Sequence, residues 1–221
     1  MDKFLKKIVW LFIIAPAIYL AIIWNKLPEK VATHFNLQGN PDRYGSKNGL
    51  IIGVAVLMIL ASAIYLLMPL VYKIDRKTRA VENKTRLLRM AFAISIFIYF
   101  VSCILINSSV HGIHFNIRLI FGGIGLMWCI VGNYMHNIKP NHFAGFRTSW
   151  TLNNEENWRK THLLGGKIWF AGGLLVTIVC FFASTNIVMI TFVSVSFIII
   201  VIPFVYSYRL YKKQKALNSI S

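Results

Sequence analysis

Acidic side chains are scarce in this 221-residue chain, which has seven Asp and Glu against 24 Lys and Arg. All seven (Asp2, Glu29, Asp42, Asp75, Glu82, Glu155 and Glu156) fall outside the long apolar stretches. Proton-coupled pumps and transporters usually keep an ionisable group at membrane depth, because that group carries the coupling. Its absence disfavours a secondary transporter, and small-solute transport is kept only as an alternative. Cysteine is equally sparse. Cys103, Cys129 and Cys180 lie inside apolar runs without paired spacing, so they read as small packing residues rather than disulfides or metal ligands. Neither a nucleophile signature nor a transporter-like internal repeat nor a low-complexity tract is present.

What the chain has instead is hydrophobic length. Hydrophobic residues make up 57% and charged residues 14%, with a mean hydropathy of +0.60; this is not the profile of an ordinary soluble domain. Uncharged gaps of 18, 25, 28, 20 and 41 residues separate Lys7 from Lys26, Lys47 from Lys73, Arg89 from Arg118, Arg118 from Lys139, and Lys167 from Arg209. A helix needs about 20 residues to cross a bilayer core of roughly 30 Å. The gaps predict spans near 8–25, 50–72, 90–110, 119–137, 168–184 and 187–208, with Ser184, Thr185 and Asn186 breaking the longest. The expected fold is an all-α integral membrane protein of one domain, 1–221. A cap loop at 26–49 and a motif loop at 139–167 join the spans.

Two features at the ends of the spans need weighing. Lys3, Lys6 and Lys7 precede an apolar run containing Ala15-Pro16-Ala17, which resembles a signal peptidase site. The run before it is short and continues afterwards to Trp24, so a retained anchor helix kinked at Pro16 is the better reading. The net charge of +17 invites a nucleic-acid interpretation, but its distribution points elsewhere. With the N-terminus inside, nineteen Lys and Arg fall on cytosolic segments and five on outer ones. This positive-inside bias predicts cytosolic termini and argues against direct nucleic-acid contact. The basic loop 73–89 is first a topology signal and a partner for anionic lipid; Arg76, Lys77 and Arg79 are candidates for docking a protein.

Recognition must then concentrate in the two polar loops. In the outer one, alternation over Val31, Thr33 and Phe35 suits a short extended piece, and Gly39, Asn40-Pro41 and Gly45 supply turns. It reads as a compact cap over the helix ends, or as a ligand contact through His34, Asn36 or Asp42. The inner one, 141–166, gathers Arg147, Thr148, Trp150, Thr151, Glu155, Glu156, Trp158 and His162. Asn153 followed by Glu156 reads as a variant capping box. Trp158, His162, Gly165 and Trp169 then share one face of an amphipathic helix expected to lie at the inner interface before the fifth span. The Arg147 guanidinium, in the turn Gly145-Phe146-Arg147-Thr148, can take a carboxylate or phosphate bidentately. It either locks the loop, with Glu155 or Glu156 as partner, or binds a ligand.

The segment GFRTSWTL, the acidic pair and Trp158 on the following helix resemble the SdpI family of bacterial membrane immunity proteins. The outer loop is similar to a small domain of unknown function often found ahead of that family; Leu27, Pro28, His34, Asn36, Gly39, Asp42 and Lys47 carry the likeness. Arg147, Thr148, Trp150, Thr151 and Trp158 match the inner motif, whereas Ser149 stands where the family has Pro. The resemblance implies a non-enzymatic protein without cofactor. Such a protein shields the cell from a secreted toxic peptide and holds a cytosolic repressor at the membrane. The competing class is an intramembrane metal-dependent enzyme. Of six histidines, His34, His111 and His114 would lie outside and His136, His142 and His162 inside; their spacings fit no established zinc motif.

Overall fold

The computed structural model describes residues 3–36, 38–70, 83–111 and 116–218. Arg76, Lys77, Arg79 and His114 lie outside the described residues. Among the described residues, six helices are long and apolar enough to cross a membrane: α1 (Lys3–Ile23), α2 (Asn48–Leu67), α3 (Lys84–His111), α4 (Ile117–Met135), α6 (Glu155–Phe182) and α7 (Thr185–Asn218). The short helix α5 (Ser149–Asn153) sits in the motif loop. Many large apolar side chains on these helices are exposed, among them Phe181, Phe182, Phe197 and Ile190. Such a surface suits acyl chains, not water.

The chain clusters into two compact units: residues 1–68 with 91–120, and residues 69–90 with 121–221. In the first, α1 packs on α2, and Trp10 meets Tyr65 edge-on at 5.9 Å. Pro16 lies inside a helix that continues past it. The cap loop departs from an all-α chain, because β1 (Lys30–Phe35) and β2 (Pro41–Ser46) form an antiparallel hairpin. Its register slips around Thr33 and again beside His34. Val31 enters the core with Leu20, Leu27, Leu50, Val54 and Ile106. The Ser109 hydroxyl donates to the Ala32 carbonyl at 2.9 Å, tying β1 to α3. Val31 and Ala32 are both buried while Thr33 and His34 are exposed, so burial departs from the period of two in the sequence where the register slips.

In the second unit α4 lies unusually close to α6. A Cβ on Gly132 would fall 2.7 Å from the Gly166 carbonyl oxygen, and one on Gly166 would fall 2.7 Å from that of Gly132. Gly125 and Gly173 repeat the contact seven residues along each helix. Backbones approach this closely only where side chains are absent. The interfacial helix expected before the fifth span is therefore not a separate element: α6 runs unbroken from Glu155 to Phe182. Gly165 and Gly166 are contact points within it. Gly165 faces the Phe146 ring and Gly166 faces α4. α7 packs along α6 around Val176, Val195 and Ile199. Pro203 lies inside α7 and cannot donate to the Ile199 carbonyl four residues earlier. The Trp169 indole N–H takes that carbonyl at 2.9 Å.

Candidate functional site

Two buried asparagines, Asn83 just before α3 and Asn141 in the motif loop, hold the start of that loop. Asn83 accepts the Lys139 N–H at 2.9 Å and donates to its carbonyl at 3.0 Å, like a strand partner. Asn141 accepts from the N–H groups of Phe143 and Ala144 and donates to the carbonyls of Lys139 and Ala144. Buried amides must be paired this fully to be tolerated. The chain then turns at Gly145, whose φ of +112° excludes most side chains; a Cβ there would also run into the His162 imidazole.

His162 is fully buried and both ring nitrogens are engaged. Its Nδ1–H donates to the Trp158 carbonyl at 2.8 Å, and Nε2 accepts the Phe146 N–H at 2.9 Å. Because both partners are backbone groups of fixed polarity, the geometry defines a neutral ring in one tautomer. The Trp158 indole stacks on it, with centroids 3.9 Å apart, and donates to the Ile138 carbonyl at 2.8 Å. One turn of α6 thereby holds both ends of the loop.

Thr148 and Thr151 close α5 from the inside. The Thr148 N–H donates to Thr151 Oγ1 at 2.9 Å, and the Thr151 hydroxyl donates to the Phe146 carbonyl at 2.8 Å. Thr148 is the N-cap, so Ser149 occupies the first helical position, where proline is best tolerated. Serine at this position, where the family that the segment resembles has proline, leaves the cap intact. The cap of α6 is Asn154, whose side chain accepts the Asn157 N–H at 2.8 Å. The expected Asn153 is instead the last residue of α5, and this corrects the capping box read from the sequence.

Trp150 reaches α7, where its indole donates to Ser207 Oγ at 3.1 Å and its ring stacks on Tyr211 at 5.7 Å. Asn157 donates to the Ser207 carbonyl and accepts from the Thr161 hydroxyl, each at 3.0 Å. Sequence reasoning missed Asn157, Thr161 and Ser207, all fully buried. Their signal was there: uncharged polar residues on the faces of apolar helices that meet.

Burial divides the predicted residues. Thr151, Trp158 and His162 have essentially no free surface, and their polar atoms are spent internally. Arg147 is exposed and donates to the His142 carbonyl, closing its own turn. Glu156 pairs with Lys160 at 2.6 Å and accepts from Gln214 at 3.2 Å.

On the hairpin, Asn36 Oδ1 accepts the N–H groups of Gln38 and Asn40, so it builds the turn. Lys47 pairs with Glu29 at 2.8 Å and lies over the Trp24 ring. His34 and Asp42 form an exposed cross-strand pair, with Nδ1–H donating to Oδ1 at 2.5 Å. Among the described residues, no three His, Cys, Asp or Glu lie together as metal ligands would.

Residues 137–207 match the SdpI/YfhL protein family, and residues 11–69 match a domain of unknown function, DUF1648. The chain is 27% identical over 193 residues to the Immunity protein SdpI of Bacillus subtilis (strain 168), covering 87% of this chain and 88% of that one. No solved structure matches it. The first match contains the whole of α5 and the loop held by His162, and the second contains the hairpin. With six apolar helices among the described residues, the chain is a multi-pass plasma-membrane protein that is similar to the SdpI/YfhL family over its motif loop and last two helices.

Proposed function

We propose that this protein is a membrane immunity protein, protecting its cell from a secreted toxic peptide and holding a cytosolic repressor at the membrane. The observation carrying this reading is the similarity to an immunity protein over 87% of the chain, together with family matches that contain the hairpin and the motif loop. In this reading both termini are cytosolic, as nineteen basic residues against five favour. The hairpin then faces the toxin, and the motif loop faces the cytosol with the 73–89 segment.

Each face has its own residues. His34 and Asp42 are the exposed pair on the hairpin and meet the peptide. Asn36 and Lys47 hold the hairpin in shape. On the other face the repressor is met by Arg147 on the motif loop and, by sequence, by the basic residues Arg76, Lys77 and Arg79. Thr148, Trp150, Thr151, Trp158 and His162 keep that surface in place.

The test is killing of cells by the toxic peptide, run alongside co-fractionation of the repressor with membranes. His34→Ala with Asp42→Ala should sensitise cells at normal expression and leave recruitment intact. Neutralising Arg76, Lys77 and Arg79 should do the reverse. If both sets lose both activities together, the two-faced assignment fails. Labelling with an impermeant thiol reagent checks orientation: a cysteine at Gln38 should react from outside and one at Asn154 should not.

A further inference from the structure

A cleft of about 380 Å³ opens between α5 and the last turns of α7, lined by Ser149, Trp150, Asn153, Tyr211, Gln214 and Lys215. We propose that it binds a phosphorylated polyol, such as the glycerol-phosphate headgroup of an anionic lipid or free glycerol phosphate. Its volume lies in the range of small-ligand sites, roughly 300–1,000 Å³.

The cleft lies at headgroup depth. Along α7 the sequence is uncharged up to Tyr208, and Arg209, Lys212, Lys213 and Lys215 follow within two turns. A spanning helix leaves the hydrocarbon at such a change, and Trp and Tyr prefer that boundary. Trp150 and Tyr211 meet there as stacked rings. The Trp150 N–H is already given to Ser207, so the aromatic pair offers the ligand a wall rather than a donor.

The polar groups define the chemistry. Gln214 Nε2 donates to Glu156, which fixes the amide, since the flipped form would set oxygen against carboxylate. Its Oε1 is then buried with no partner among the described residues. A buried acceptor of this kind calls for a hydroxyl or N–H donor. Glu156 is neutralised by Lys160, and Lys212 lies over the Tyr208 ring. The Lys215 ammonium is exposed at the cleft and is the group to take an anion. One anionic centre and one nearby hydroxyl donor are what a glycerol phosphate carries. A choline headgroup would satisfy the aromatic wall by cation–π contact, yet it would set a cation beside Lys215 and give Gln214 no donor.

The test titrates the purified full chain in detergent with short-chain phosphatidylglycerol, phosphatidic acid, phosphatidylcholine and soluble glycerol 1-phosphate, read by native mass spectrometry. Phosphatidylglycerol should bind most tightly of the lipids. Lys215→Gln should weaken it about fivefold, the effect of one well-placed basic residue at a lipid surface. Gln214→Leu should abolish the preference over phosphatidic acid, and Lys213→Gln, outside the cleft, should change little. Binding of glycerol 1-phosphate at similar strength would assign the site to a soluble ligand of the same chemistry, and failure of glycerol 1-phosphate to bind would assign it to the lipid. Equal binding of phosphatidylcholine overturns the proposal, as does an equal loss from Lys213→Gln. Phosphatidic acid binding as well as phosphatidylglycerol removes the hydroxyl contact and with it the polyol. Lys215 is an exposed side chain, so its variant keeps the fold and decides the matter if Gln214→Leu does not.

Discussion

The hairpin and the motif loop each contain a histidine bonded to a partner across a turn, and the two histidines do opposite things. His34 faces outward and meets the Asp42 carboxylate with both side chains about half exposed. His162 is sealed beneath Trp158 and joins two backbone segments. An exposed ion pair is screened and contributes little, whereas a buried ring bonded at both nitrogens cannot leave without orphaning a backbone group. A polar residue in a loop is therefore not a ligand contact by default; its exposure separates recognition from support.

The largest test of this contrast is at His162. Replacing it by alanine leaves a cavity under Trp158 and strands the Phe146 N–H, so the loss should be about 3 kcal/mol or more. His162→Phe keeps the ring but not the acceptor, and should lose about 2 kcal/mol. Thermal unfolding in detergent reads both. If the phenylalanine variant matches the parent, packing rather than hydrogen bonding holds the loop.

A smaller effect is expected at Trp169. Trp169→Phe removes the donor to the Ile199 carbonyl and should cost about 1–2 kcal/mol. In a Pro203→Ala background that carbonyl regains a backbone partner, so the same change should cost less. A double-mutant cycle on unfolding measures the coupling; additive losses would show that the indole is not compensating for the proline.

The smallest effect belongs to the hairpin. His34→Ala or Asp42→Ala should change stability by under about 1 kcal/mol, and less at high salt, because the pair is exposed. The same variants should show their effect in protection from the toxic peptide. A large stability loss at these positions would make the pair structural and remove the basis for separating the two regions.

How much could be read beforehand follows the same division. The uncharged gaps placed six apolar helices, because crossing hydrocarbon requires length and excludes charge. The alternation at Val31, Thr33 and Phe35 announced the extended segment, though not its partner β2 or the dock onto Ser109. The shared face of Trp158, His162, Gly165 and Trp169 was legible from helical spacing, but not that the helix carrying it continues unbroken into the fifth span. Asn153 and Asn154 are both good caps, and only the end of α5 decided between them.

The sequence by itself determined the membrane class, the six apolar spans and the resemblance to a family, since these depend on composition and on motifs read in order. The tertiary structure decided what each motif residue does. Whether His162 meets a ligand or the Phe146 backbone depends on α6 returning against the loop. Likewise, Ser207 serves Trp150 and Asn157 only because α7 packs beside α6. A hydrogen bond between residues fifty positions apart leaves no local pattern, and its energy exists only once water has been excluded from around it.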